Sequence, residues 1–222
     1  MRVGIFDSGK GGLAALMRFK AILPSVDTVF FADEENAPYG NKTERELKAL
    51  VRCDIERLLS LGAERILIAC CTASTVYPFL PEKYRRASVP IIDPVARAAA
   101  LSSRAGRIGV ISTEATKRSG AFDRSILRLC PGAFVRSEAV PELVTLAERG
   151  FSDENMSEYA SSVIKDIQSR FRGSDIDTLI LGCTHFSYFK RSLEGALGVR
   201  VIDSAEIGAK ELIADIVRRK RK

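Results

Sequence analysis

The 222-residue chain has one histidine, no long apolar run and no even set of cysteines. No stretch approaches the ~18 uncharged apolar residues of a membrane span, so no membrane partner is expected. The opening residues, Met1 to Asp7, meet an acid before any apolar core of a signal peptide could form, and the expected location is cytoplasmic. Five cysteines, at 53, 70, 71, 130 and 183, are odd in number and irregularly spaced, which fits reduced thiols rather than a disulfide framework. Cys183-x-His185 and the Cys70-Cys71 pair supply neither the four ligands of structural zinc nor the three of catalytic zinc at short spacing, so no metal is expected. Net positive charge is also scarce outside the chain's last residues. The net charge is +6, but Arg218, Arg219, Lys220, Arg221 and Lys222 close the chain, and the remainder carries +1. That tail reads as a solvated helix end, and no nucleic acid is expected from it.

With 46% hydrophobic and 28% charged residues the chain is an ordinary globular sequence. Its length allows one large or two small domains, at roughly 100–200 residues each. Apolar runs at 2–6, 28–32, 65–69, 89–92, 107–111, 133–136, 177–182 and 199–202 read as strands separated by helical patterns, the alternation of an α/β protein with parallel sheets. Segment 43–61 is the clearest helix: Thr43-x-x-Glu46 makes a capping box, and Leu47, Leu50, Val51, Ile55, Leu58 and Leu59 form one stripe.

Three landmarks recur in the same order. Arg2-Val3-Gly4-Ile5-Phe6-Asp7-Ser8 answers to Arg107-Ile108-Gly109-Val110-Ile111-Ser112-Thr113, Cys70 to Cys183, and Pro90-Ile91-Ile92-Asp93 to Arg200-Val201-Ile202-Asp203, at offsets of 105, 113 and 110. Each half then opens on a strand, presents a cysteine at a later strand end and finishes on a strand ending in aspartate. The boundary is placed at Pro94: residues 1–94 form one half, 95–203 the other, with 204–222 expected to pack on the first.

Ligands in open parallel sheets collect outside the carboxyl ends of the strands. Two cysteines at equivalent ends can therefore face a shared cleft and approach a bound molecule from opposite sides. A reaction that removes a proton from one face of a tetrahedral carbon and returns one to the other needs an acid and a base so placed. A thiol, titrating near ~8.5 and tunable downward, can serve as either. Thr72-Ala73-Ser74 and Thr184-His185-Phe186-Ser187 follow the two cysteines with hydroxyl-rich, helix-capping sequence able to aim N–H groups at a carboxylate. His185 stands two positions from Cys183, where it can assist proton transfer; Asp7 can play the matching part for Cys70. An isolated cysteine at a strand end is ordinarily a small buried hydrophobe; the paired arrangement separates these two from that reading. Gly9-Lys10-Gly11-Gly12-Leu13-Ala14, with Asp33 beyond, satisfies a loose dinucleotide pattern. Asp7 directly before the loop would repel a pyrophosphate, and a tight turn is the simpler reading.

The residues together resemble the glutamate racemases of the aspartate/glutamate racemase superfamily over nearly the whole chain. The matching elements are Gly4-Ile5-Phe6-Asp7-Ser8-Gly9 with Gly11-Gly12-Leu13, Asp33 leading to Ala37-Pro38-Tyr39-Gly40, Ala69-Cys70 with Thr72-Ala73-Ser74, Ser112-Thr113 with Ala115-Thr116 and Ser119, and Leu181-Gly182-Cys183-Thr184-His185. The resemblance implies two similar parallel-sheet α/β domains related by a pseudo-twofold, with the active site between them. It also implies cofactor-independent two-base racemisation of glutamate for peptidoglycan synthesis. By this likeness Cys183 deprotonates the L-isomer and Cys70 the D-isomer, Asp7 and His185 assist their neighbouring thiols, and Glu148 supports His185. Ser8, Pro38, Tyr39, Gly40, Thr72, Thr116 and Thr184 line the substrate. Cys71 stands where the family has an asparagine that contacts substrate, and a thiol cannot copy both ends of an amide. An aspartate racemase of the same fold, a one-thiol decarboxylase and a binding homologue without turnover remain open, as does a homodimer.

Overall fold

Eight strands alternate with helices along residues 1–220, the part of the chain that the computed structural model describes. They are β1 (Arg2–Asp7), β2 (Asp27–Ala32), β3 (Arg65–Ile68), β4 (Ser88–Val89), β5 (Arg107–Ser112), β6 (Phe134–Ala139), β7 (Thr178–Gly182) and β8 (Arg200–Asp203). They form two parallel sheets, in the orders β2-β1-β3-β4 and β6-β5-β7-β8. The central strands β3 and β7 are buried along their whole length, as expected of parallel strands covered on both faces by helices. No helix among the described residues is long and apolar enough to cross a membrane. Of the basic tail, Arg218 and Arg219 pair with Glu211 and Asp215 on their own helix; Arg221 and Lys222 lie outside the described residues.

The strand register makes the internal repeat exact in one place and corrects it in another. Val3 sits beside Arg65 as Ile108 sits beside Thr178, and Leu67 beside Val89 as Ile180 beside Ile202. Val89 and Ile202 are thus counterparts at the same offset as the two cysteines, and the counterpart of Asp203 is Pro90. The strand expected at 89–92 stops at Val89 because Pro90 has no N–H for the ladder. Asp93 does not end a strand but lies in the first turn of the helix Ile92–Ser102, where its carboxylate accepts from Ser125 Oγ and Arg128. An acid there also complements the helix dipole. Residue 94, where the sequence suggested a boundary, is inside that first turn. The helix packs with Ile108, Val110 and Ile180 of the second sheet through Ile92, Val95, Ala96 and Ala99.

The helix Glu44–Ser60 carries the full capping box, with Thr43 N–H donating to Glu46 and Glu46 N–H to Thr43 Oγ1. Its buried face is Leu47, Val51, Asp54, Ile55 and Leu58, while Leu59 is exposed. The closing helix, Ser204–Lys220, buries Ala205, Ala209, Leu212 and Ile216 against Val3, Ile5, Leu67 and Ala69 of the first sheet. Val217, near the end of that helix, is exposed. The two halves are joined by polar contacts at the carboxyl ends of the strands. Thr72 Oγ1 lies 2.9 Å from Thr113 Oγ1 and 3.0 Å from Thr116 Oγ1. Thr184 Oγ1 donates to Asp7 Oδ2 at 3.0 Å, and Arg18 pairs at 2.7 Å with Asp203, whose side chain is fully buried.

Candidate active site

Both sheets stop at the same cleft, a cavity of about 550 Å³ whose lining includes Cys70 and Cys183. Each cysteine caps a short helical turn, Cys70 for Cys71–Ser74 and Cys183 for Thr184–Phe189. The thiols are thereby delivered by corresponding strands of the two halves. Ser8 Oγ lies 3.3 Å from Cys70 Sγ, and Ala73 N–H donates to that sulfur at 3.5 Å. Cys183 Sγ lies 3.7 Å from His185 Nδ1, and His185 Nε2 is engaged by Glu148 Oε1. Ser8, Pro38, Tyr39, Gly40, Thr72, Thr184, His185 and Glu148 all line the same cavity.

Asp7 is fully buried at the end of β1 and holds no hydrogen bond to Cys70. It accepts instead from Gly9 N–H at 3.1 Å and from Thr184 Oγ1 of the opposite half. Ser8 makes the direct contact with the Cys70 thiol. Burial raises the Asp7 carboxyl to about 6, against the opposing pull of His185, Thr184 and the Gly9 and Ser8 amides. The same desolvation, reinforced by the Asp7 charge, pushes Cys70 up to about 12. It pushes Cys183 well above its ordinary value, with Cys71, Cys70 and Asp7 adding to the effect and the His185 amide opposing it. At both sulfurs burial and the neighbouring acids outweigh the helix-terminus effect and favour the thiol over the thiolate.

Two residues expected at the substrate are outside the cavity lining. Thr116 holds Thr72 and Thr113 from behind, and Thr113 takes the place on the cavity wall. Cys71 is 1% exposed, packs with Ile91, Val95 and Ile180, and does not line the cavity. The helical turn that aims Cys70 into the cleft rotates its neighbour into the core. The glycine loop is likewise a matter of close approach. A Cβ on Gly11 would stand 2.5 Å from Thr184 Oγ1 and 2.7 Å from His185 Nδ1, and one on Gly12 2.4 Å from Asp7 Cβ. Gly11 lets the first half meet the second at the site, Gly12 lets the loop close on its own strand end, and neither forms an open phosphate cradle.

Sequence reasoning passed over Lys10 and Arg149, two cationic residues of the cavity lining, which also holds Glu34 and Glu114. It also passed over Asp54, a carboxylate on the buried stripe of its helix. Asp54 was detectable, since its spacing from Leu47, Val51 and Leu58 puts an acid on an apolar face.

Two parallel-sheet α/β halves closing on one cavity, with a cysteine from each half in its lining, define a class of protein: a two-domain α/β protein with a small-molecule-sized cleft between its halves. A family model described as Asp/Glu/Hydantoin racemase matches residues 18–212. The chain is 38% identical over 221 residues to the glutamate racemase of Geobacter metallireducens, covering 97% of this chain and 80% of that protein. Its structure is similar to that of a glutamate racemase isoform from Bacillus anthracis, with a TM-score of 0.88 at 31% identity, covering 98% and 82% of the two chains. It is equally similar to the Francisella tularensis glutamate racemase solved with D-glutamate, with a TM-score of 0.88, 28% identity and coverage of 99% and 82%. The chain belongs to the Asp/Glu/hydantoin racemase family.

Proposed function

We propose that the protein is a glutamate racemase, interconverting L- and D-glutamate by a two-base mechanism and supplying D-glutamate for peptidoglycan. The observation that carries this reading is that Cys70 and Cys183 reach one cavity from corresponding strand ends of the two halves. Glutamate racemases of Bacillus anthracis and Francisella tularensis share the fold over nearly the whole chain, which favours glutamate as the substrate.

In this mechanism the Cys183 thiolate removes the α-proton of L-glutamate, and the Cys70 thiol delivers its own proton to the opposite face. The products are D-glutamate, a Cys183 thiol and a Cys70 thiolate; the reverse reaction restores the starting pair. Burial disfavours the thiolate form of both cysteines, with the neighbouring acids adding to it, so ionising Cys183 needs a compensating positive charge. The substrate's ammonium supplies it, and a cation beside a thiol lowers the cost of ionising it. His185, held by Glu148, takes up the Cys183 proton, and Ser8 exchanges a hydrogen bond with Cys70. The turns after each cysteine present N–H groups to the α-carboxylate, where loss of one such donor commonly costs ~3–4 kcal/mol.

The test is incubation of the purified protein with L-glutamate or L-aspartate in D₂O, without added cofactor, following α-deuterium uptake and optical rotation. Deuterium uptake with racemisation of glutamate is expected. Racemisation of aspartate alone would replace the substrate, and exchange with neither acid would leave a binding homologue.

A further inference from the structure

Tyr39 carries one hydroxyl hydrogen and faces two carboxyl groups. Its Oη lies 2.5 Å from Asp33 Oδ2 and 2.7 Å from Asp54 Oδ2, and all three residues are at most 5% exposed. A phenol can donate to only one of the two. The second contact is a hydrogen bond only if one carboxyl brings its own proton; two carboxylates against one phenol would leave a buried anion without a donor. Asp33 has a further donor, Asn36 Nδ2, at 3.0 Å from Oδ1. Among the described residues the carboxyl of Asp54 has Tyr39 alone. The missing hydrogen therefore belongs on Asp54.

The geometry points to Asp54, held as the neutral acid, as a positioning residue that fixes through Tyr39 the Pro38–Gly40 wall of the cavity, an assignment that rests on the reading of that cavity given above. Asp54 Oδ2–H donates to Tyr39 Oη, and Tyr39 O–H donates to Asp33. Asp54 does not line the cavity. The tether reaches it because Tyr39 begins the turn Tyr39–Asn41, and Pro38, Tyr39 and Gly40 all line the cleft. The turn also abuts the opposite half: a Cβ on Gly40 would stand 3.0 Å from Thr113 Cβ.

The groups that bear on the Asp54 proton are few. Burial raises its carboxyl to about 7; the Tyr39 hydrogen bond opposes this, the Asp33 charge adds to it, and Arg57 on the same helix opposes it. Elements packed around the helix contribute Phe6 of β1, Ile68 of β3, and Ala73 and Val76 beyond it, all apolar. Cys70 and Tyr84 share that cluster, and Tyr84 is engaged by Glu56. As pH rises through about 7, Asp54 ionises, the network falls one hydrogen short, and the turn loses one of its two anchors. Substrate affinity weakens while the chemistry at the thiols is untouched.

Two measurements test this. Calorimetric titration with D-glutamate between about pH 5.5 and 8.5 is expected to give a wild-type affinity falling about tenfold, equivalent to about 1.4 kcal/mol. Asp54→Asn keeps an N–H toward Tyr39 and cannot ionise, so it should lose the fall centred near pH 7, keep only the dependence set by Asp7 near pH 6, and retain the wild-type kcat at saturation. Asp54→Leu, which offers no donor, should bind about tenfold more weakly at every pH. Without substrate, the infrared difference between wild type and Asp54→Asn should contain the carbonyl band of a protonated carboxyl at pH 6 that fades above pH 8. Absence of that band, or an Asn variant with the wild-type pH profile, overturns the proposal. The band present with no glutamate bound by either protein supports the proton on Asp54 and overturns the reading of the cavity instead.

Discussion

His185 Nδ1 lies 3.7 Å from Cys183 Sγ while the far nitrogen of the same ring is engaged by Glu148. The His185 hydrogen bond holds the Glu148 carboxyl below its ordinary range, with burial opposing it. In the proposed mechanism Glu148 is therefore an anion able to stabilise the imidazolium that would form as Cys183 gave up its proton. Glu148→Gln keeps the shape and removes the charge, and kcat should fall about 10- to 100-fold. The enantiomers have equal free energy, so kcat/KM must fall equally in both directions. The asymmetry should appear in the isotope effect with α-deuterated L-glutamate against the D-isomer. A variant within twofold of wild type would remove Glu148 from the relay.

Replacing either cysteine with serine keeps the size of the side chain and removes the acidity. Cys70→Ser and Cys183→Ser should each lose at least ~10³-fold in racemisation, the order of a lost general acid or base, with unchanged circular dichroism. The residual exchange separates the roles. Cys70→Ser should still wash solvent deuterium into L-glutamate, and Cys183→Ser into the D-isomer. Near-normal turnover in either variant would end the two-base assignment.

The fold and the thiol pair were legible because both depend on periodic features of the chain: buried strands read as apolar runs, and a repeated strand end repeats its cysteine. The errors fall where one residue overrides a pattern. Pro90 ends a strand that its apolar neighbours would continue, and Asp93 turns from a strand end into a helix start. Cys71 was expected at the substrate because it stands at the family's asparagine position, and one step around a helical turn takes its side chain from the cavity lining into the core. The Asp33–Tyr39–Asp54 network joins three elements, and no local spacing announces such a contact.

Asp7 gives a stability prediction with a definite sign. Its folded-state value, about 6 against 3.8 unperturbed, is raised by burial. The contribution to stability is therefore complete below the unfolded value and is lost as pH rises through about 6, on the order of 3 kcal/mol in all. Asp7→Asn should flatten the decline in melting temperature between pH 4 and 7 while reducing turnover. A variant that melts with the wild-type pH dependence would show that the carboxyl is not the group responsible.

Cys71 offers a test of packing against binding. Its side chain is buried among Ile91, Val95 and Ile180, so Cys71→Ala should cost about 1 kcal/mol of stability, the order of one lost buried group. KM for glutamate should stay within about twofold. A tenfold rise in KM with unchanged melting would instead place the sulfur at the substrate, since ~1.4 kcal/mol is the scale of one lost contact.

Arg65, at the start of β3, grips Asp215 on the closing helix with two bonds, Nε to Oδ2 at 2.6 Å and Nη2 to Oδ1 at 3.1 Å. The side chains are only 8% and 14% exposed. Burial alone would raise the Asp215 carboxyl, but Arg65 and Arg219 together bring it below its ordinary value. A depressed folded-state pKa means that this contribution is present above the unfolded value and is lost as pH falls through the folded one. Asp215→Asn leaves Arg65 buried without its anion, and such a loss costs about 3–5 kcal/mol. Urea unfolding at pH 7 should register it as a lower midpoint at unchanged slope, with kcat retained because the pair does not line the cavity. The double variant Arg65→Met with Asp215→Leu removes both desolvation costs and should recover most of the loss. If the double variant were as unstable as Asp215→Asn, the helix would be held by the geometry of the pair rather than by the apolar face formed by Ala205, Ala209, Leu212 and Ile216.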